Sequence, residues 1–197
     1  MKRIFLIALL ALSAATVHAR KNNIDFAERV ADYAHSVTDK APATAQIETG
    51  FSPDGGSERL VLKIINASQR SLRLAAYSFT SPSVVRALLN AKKRGADVRV
   101  VVDEKGNRSK ASLAALNLLV GAGIPVRTIS TYAIHHDKFI VADELHTQTG
   151  SFNYSQAAAK KNSENVIVIW HNRTVAASYL EHWQNRFEQG MAYRLGY

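Results

Sequence analysis

The chain has 197 residues, 47% hydrophobic and 21% charged, which suits one well-filled core and is short for two large domains. With 25 Lys and Arg against 16 Asp and Glu, its formal charge of +9 favours polyanionic partners, whether nucleic acid or an anionic membrane surface. It has no cysteine, so disulfide frameworks and thiolate metal sites are excluded.

Residues 1–19 have the features of a secretory signal: Lys2 and Arg3, an apolar run from Ile4 to Ala15, then Val17-His18-Ala19 as a small-x-Ala cleavage site. The run is shorter than the about 20 residues of a membrane span. The expectation is an exported protein, periplasmic or secreted, with no stable membrane insertion after cleavage. Residues 20–44 form an N-terminal helix and linker: Ala27, Val30, Ala31, Ala34 and Val37 make one helical stripe over 22–37, and Pro42 lies in the linker. Residues 45–197 then form the main domain.

A first strand is predicted over 46–51, followed by the turn Ser52-Pro53-Asp54-Gly55-Gly56 and a helix capped by Ser57 with Leu60, Ile64, Ile65 and Ala67 on its apolar stripe. A second strand covers 72–79. Ser81-Pro82 is an N-cap followed by proline at the first helical position, opening a helix that runs to Arg94 and stops at Gly95. The unbroken valines of 98–102 predict a buried strand, and a helix from about Ser109 to Val120 ends at Gly121 and Gly123. A strand over 125–129, two strands around residue 143, a short helix from Ser155, a strand over 165–170 and a last helix complete the domain. That helix carries Val175, Tyr179, Trp183 and Phe187 at four-residue intervals, a stripe suited to core or dimer contact rather than to stacking on bases. Strands alternating with helices imply α/β architecture: a mixed, largely parallel β-sheet flanked by helices on both faces.

The richest stretch is His136 to Asn153, which follows the pattern HxKxxxxDxxxxxxGSxN. In a strand starting at Lys138, His136 and Lys138 share one face while Asp137 and Phe139 share the other. The same parity joins Ser151 to Asn153 and turns Phe152 away. A reversal at 142–144 then brings a histidine, a lysine, a hydroxyl and a carboxamide together, supplying a nucleophile or general acid, a fixed cation and two neutral hydrogen-bonding groups.

Motif and spacing resemble the phospholipase D superfamily. The resemblance implies that His136 attacks phosphorus to give a phosphohistidine, that Lys138 and Asn153 hold the phosphate oxygens, and that Ser151 lines the phosphate site. Asp143 completes the motif in an orienting or structural role. Glu164, in Asn162-Ser163-Glu164-Asn165, stands where the family often carries an acid that orients a catalytic histidine. Phe51 to Gly56, Ala76 to Ser81 and the valine-rich strand are also typical of the family in flavour.

Superfamily members usually combine two such motifs. None of His18, His35, His135, His146, His171 and His182 is followed two places on by lysine. The resemblance therefore narrows to small single-motif bacterial endonucleases of the Nuc type, whose site a homodimer completes across its two-fold axis. No cofactor is expected, and the chain shows no spacing of carboxylates and histidines suited to a metal. His135 is expected to be an ordinary polar neighbour. Among the basic clusters, Lys92-Lys93-Arg94 suits a helix end. Lys105, Arg108 and Lys110 follow the carboxyl end of a predicted parallel strand, where loops surround ligand sites in α/β folds, and are candidates for substrate contact.

Three functions follow from these expectations. The first is a metal-independent endonuclease of low sequence specificity, acting on DNA and with RNA left open. The second keeps the chemistry and takes phospholipid or another small phosphodiester. The third is a catalytically silent nucleic-acid-binding protein.

Overall fold

A computed structural model describes residues 46–195; the stretch 1–19 and the helix and linker expected over 20–44 lie outside the described residues. The elements are β1 (Gln46–Ser52), α1 (Gly56–Ala67), β2 (Ser71–Ala76), α2 (Pro82–Lys93), β3 (Asp97–Asp103), a 3₁₀ turn (Lys105–Asn107), α3 (Lys110–Gly121), β4 (Val126–Ile129), β5 (Lys138–Ala142), β6 (His146–Gly150), α4 (Gln156–Lys160), β7 (Glu164–Trp170), α5 (Arg173–Gln189) and β8 (Met191–Ala192). The strands form one mixed sheet in the order β1-β7-β6-β5-β2-β3-β4-β8.

The mixed α/β class is as expected, but parallel pairing is confined to β2, β3 and β4. The other pairings are antiparallel. The cause is local: β5 and β6 form a hairpin, and β7 comes back beside β6 antiparallel through a loop that carries only the short α4.

Alternation along the strands builds two cores. Leu72, Leu74, Val98, Val100, Val102, Ile140, Val166 and Val168 face α1, α2 and α3. Ala75, Val101, Phe139 and Val141 face the opposite way and are covered by Ala176, Trp183 and Phe187 of α5. Trp183 and Phe187 of the aromatic stripe are thus core, and the Trp183 indole N–H donates to the Leu74 carbonyl at 3.0 Å. Tyr179 is only half-buried.

Ser81, Ser109 and Asn172 cap α2, α3 and α5 through their side chains. Ser57 does not cap α1. The cap is Gly55, two residues earlier, and the buried Ser57 hydroxyl instead donates to the Gly50 carbonyl of β1 at 3.2 Å. The second strand ends at Ala76 rather than Phe79, because Tyr77 and Ser78 bend away and Phe79 rejoins only as a single bridge to Tyr154. The short β8, pairing with β4, has no periodic signal in its two residues.

Asp143 sits in the β5–β6 turn, at the opposite end of β5 from Lys138. Its carboxylate accepts from the backbone N–H groups of Gln69 (2.9 Å), Arg70 (2.7 Å) and Ser71 (2.9 Å). Burial works to raise its pKa, and these donors outweigh it, holding the carboxyl below the usual aspartate range. Asp143→Ala removes the shared acceptor and should cost about 1–3 kcal/mol of stability in urea unfolding at neutral pH. A depressed folded pKa contributes stability above the unfolded value of about 3.9 and loses it as pH falls through the folded value, so the two proteins should converge in strong acid.

Candidate active site

The hairpin places the motif at the end of the sheet where β2 and β3 have their carboxyl ends, because Lys138 lies opposite Ala76. His136, on the segment entering β5, is exposed, while Lys138 is 7% exposed. Both meet one aromatic ring: Tyr77 lies 4.8 Å from the His136 ring centre to centre and 5.4 Å from Lys138 Nζ. Lys138 Nζ also donates to the His136 carbonyl at 2.7 Å, fixing the cation beside the residue whose ring faces solvent. Burial pushes the Lys138 ammonium below the usual lysine range, opposed by the nearby carboxylates of Asp137 and Glu164.

The second half of the motif leaves β6 through Gly150, at φ 151°, where a side chain would bring Cβ to 2.2 Å from the Asn165 carbonyl. Phe152 and Tyr154 then turn into the core, so Ser151 and Asn153 point the other way. Ser151 is committed to Glu164: its hydroxyl donates to Oε2 at 2.5 Å and accepts from the Asn165 N–H at 3.1 Å. Asn162 holds the other oxygen of Glu164 at 2.9 Å. Glu164 is therefore engaged by Ser151 and Asn162 rather than by His136 of the same chain. The Asn153 Oδ1 is buried and has no hydrogen-bond partner among the described residues, leaving that oxygen uncommitted there.

Of the residues singled out in the sequence, His136, Lys138, Ser151, Asn153 and Glu164 gather at this end, and Asp143 does not. His135 is no ordinary polar neighbour, being 3% exposed with its backbone N–H donating to Asp103 Oδ2 at 2.8 Å. Burial holds its imidazole below the usual histidine range. Lys105 and Arg108 are exposed on the loop after β3 and Lys110 is exposed at the start of α3, with Arg108 paired to Glu104 at 2.9 Å. That loop reaches the site through Gly106, where an added Cβ would come within 2.9 Å of the Tyr77 ring. Asp103 and Asn107 anchor it, the Asn107 amide donating to the carbonyls of Tyr77 (2.6 Å) and Asp103 (2.7 Å).

Sequence reasoning missed Tyr77, Asp103 and Asn107 as parts of the site's frame, and Asp137 with His182. The usable signal was Asp103, a carboxylate ending a valine strand on the ligand side of an α/β sheet. Among the described residues, no group of three or more His, Asp or Glu side chains is placed to hold a metal ion. No described helix is long and apolar enough to cross a membrane.

An exposed imidazole beside a buried ammonium, with a carboxamide across from them, can attack a phosphodiester and hold its oxygens. Residues 61–189 match the family described as cardiolipin synthase, PLD-like domain. The chain belongs to the phospholipase D superfamily. Its curated relatives include a protein of Rickettsia felis named phospholipase D, 36% identical over 142 residues that cover 72% of this chain and 70% of that one. The mitochondrial cardiolipin hydrolase of Xenopus tropicalis is 32% identical over 136 residues, covering 69% of this chain and 63% of its own. Among solved structures, the phospholipase D family member Nuc from Salmonella typhimurium is 49% identical, with a TM-score of 0.76 over 77% of this chain and 99% of that one. The protein is thus a phosphodiesterase of the phospholipase D superfamily, of the single-motif Nuc type.

Proposed function

We propose that this phospholipase D superfamily member is a metal-independent endonuclease of low sequence specificity that hydrolyses phosphodiester bonds of DNA, and of RNA where it is presented. The observation that carries this reading is the half-site: one exposed His136 beside a buried Lys138, with no second such pair in the chain. A homodimer completes the site. The His136 ring attacks phosphorus and the bond to the leaving oxygen breaks, giving a phosphohistidine. The partner's His136 donates its proton to that oxygen. The same imidazole then takes a proton from water, which attacks phosphorus and releases His136. Lys138 and Asn153 stabilise the charge that builds on the phosphoryl oxygens. Glu164, held by Ser151 and Asn162, keeps a fixed carboxylate near the ammonium.

The formal charge of +9 and the exposed Lys105 and Lys110, which follow the carboxyl end of β3, support a polyanionic substrate. The similarity to Nuc supports the same reading. Phospholipid is the second reading, favoured by the names of the Rickettsia and Xenopus relatives and by Ile134, 54% exposed two residues before His136. The basic and apolar run at 1–19 supports export to the periplasm or beyond.

Purified protein should nick plasmid and digest single strands in excess EDTA, sediment as a dimer at micromolar concentration, and be recovered from cells outside the cytoplasm. Headgroup release from phosphatidyl vesicles without nucleic-acid cleavage would transfer the proposal to lipid. An active monomer would remove the shared site.

A further inference from the structure

On the α5 side of the sheet, a cavity of about 400 Å³ opens beside the half-site, with His136, Lys138 and Thr149 on one wall and Ser178, Tyr179 and His182 of α5 on the other. The chemistry above uses none of the α5 side chains. The volume lies within the range of about 300–1,000 Å³ typical of ligand sites. Its aromatic wall is held rigidly. Tyr179 packs edge-on against Phe139 at 5.0 Å and 79°. The His182 ring lies 5.9 Å from Phe139, and its Nε2 donates to Asp137 Oδ2 at 2.8 Å. His135 Nδ1 approaches the same carboxylate oxygen from the buried side at 3.4 Å.

These walls select a class of ligand. The Asp137 carboxylate opposes a second phosphate in the cavity, and the hydroxyls of Thr149 and Ser178 with that carboxylate oppose an acyl chain. What remains is a flat, neutral group with polar edges, able to stack on a fixed ring and to donate hydrogen bonds to a carboxylate. We propose that the cavity seats the nucleoside attached to the phosphate under attack, its base stacked on Tyr179 and its polar edge met by Asp137, Ser178 and Thr149. The proposal rests on the nuclease reading of the site and extends it: the protein senses a base beside the scissile bond without reading which base it is. Tyr179, which the sequence pattern puts with core or dimer contacts, is on this account a stacking platform as well.

A hexanucleotide whose linkages are methylphosphonates, except for one diester flanked by normal or abasic residues, tests the idea. Tyr179→Ala should raise KM for the normal substrate about tenfold with a smaller change in kcat, the size of one base stack. The abasic residue on one side of the diester should raise KM for the unaltered protein by a similar factor, and should add little in the Tyr179→Ala protein. Tyr179→Phe should restore the normal value, since the stack needs the ring rather than the hydroxyl. Ser178→Trp, at an exposed position, fills the cavity without disturbing Phe139 and should give the same KM rise if Tyr179→Ala fails to fold. Penalties that multiply, or a loss confined to kcat, overturn the cavity's role while leaving the nuclease intact. No nucleotide cleavage by the unaltered protein, with headgroup release from phosphatidyl vesicles, overturns the nuclease reading and this proposal with it.

Discussion

Replacing His136 with alanine should leave a folded protein whose turnover is reduced at least about 10⁴-fold, because on the proposed dimer the substitution removes both the nucleophile and, across the two-fold axis, the general acid. The fold should hardly notice. His136 is exposed, and among the described aromatic side chains its ring meets only Tyr77, so a change within about 0.5 kcal/mol is expected. Unfolding in urea and single-turnover kinetics on one preparation separate the two effects. Trapping ³²P-labelled protein after a denaturing alkaline quench, which spares the acid-labile P–N bond, should succeed with the unaltered chain and fail with His136→Ala. Retention of a tenth of the activity would end the phosphohistidine mechanism.

Lys138→Met should lower kcat by about 10²- to 10³-fold, the usual loss when one fixed charge is taken from a transition state, and should change KM less. Stability should move the other way. The ammonium is nearly buried and its pKa is depressed by that burial, so at neutral pH the folded state carries a charge that water would hold better. A depressed lysine pKa means the unfolded chain binds more protons, and stability rises with pH between the folded and unfolded values. Lys138→Met should therefore unfold at an equal or higher urea concentration at pH 7, with the advantage shrinking as the medium becomes alkaline. A methionine variant that is inactive and less stable at both pH values would mean that the lysine is a structural strut. The contacts to Tyr77 and to the His136 carbonyl would then outweigh its desolvation.

The chemistry was legible because its side chains are close in sequence and a strand turns spacing into direction. His136 with Lys138, and Ser151 with Asn153, need only the parity of a hairpin to be placed. Asp143 shares the same motif and acts elsewhere, because five residues of extended strand carry it to the other end of the sheet, where its carboxylate takes up the amides of residues 69 to 71. Periodicity found the helices and most strands, and missed β8, whose two residues are strand only because β4 offers an edge. The excess of antiparallel pairing was also out of reach, since it follows from how β5 to β7 return. Asp103 carried a signal in its place at the end of a valine strand, whereas Tyr77 and Asn107 could not be assigned because their partners at the site lie 30 to 59 residues away and nothing in their neighbours points there. His182 and Asp137 are in the same position, joined only after α5 crosses the sheet.

The loop that carries Ser151 and Asn153 is welded to the loop that carries Tyr77. The carbonyl of Tyr154 accepts from the N–H groups of both Thr80 and Ser81 at 2.8 Å, and its buried hydroxyl donates to Gln148 in β6 at 2.8 Å. Two segments far apart in sequence thus form one rigid jaw. These hydrogen bonds pre-order the two loops, so less binding energy goes into ordering them. On the proposed homodimer, the moving part of the machine would be the meeting of two such jaws, and protein concentration would become a control on the reaction.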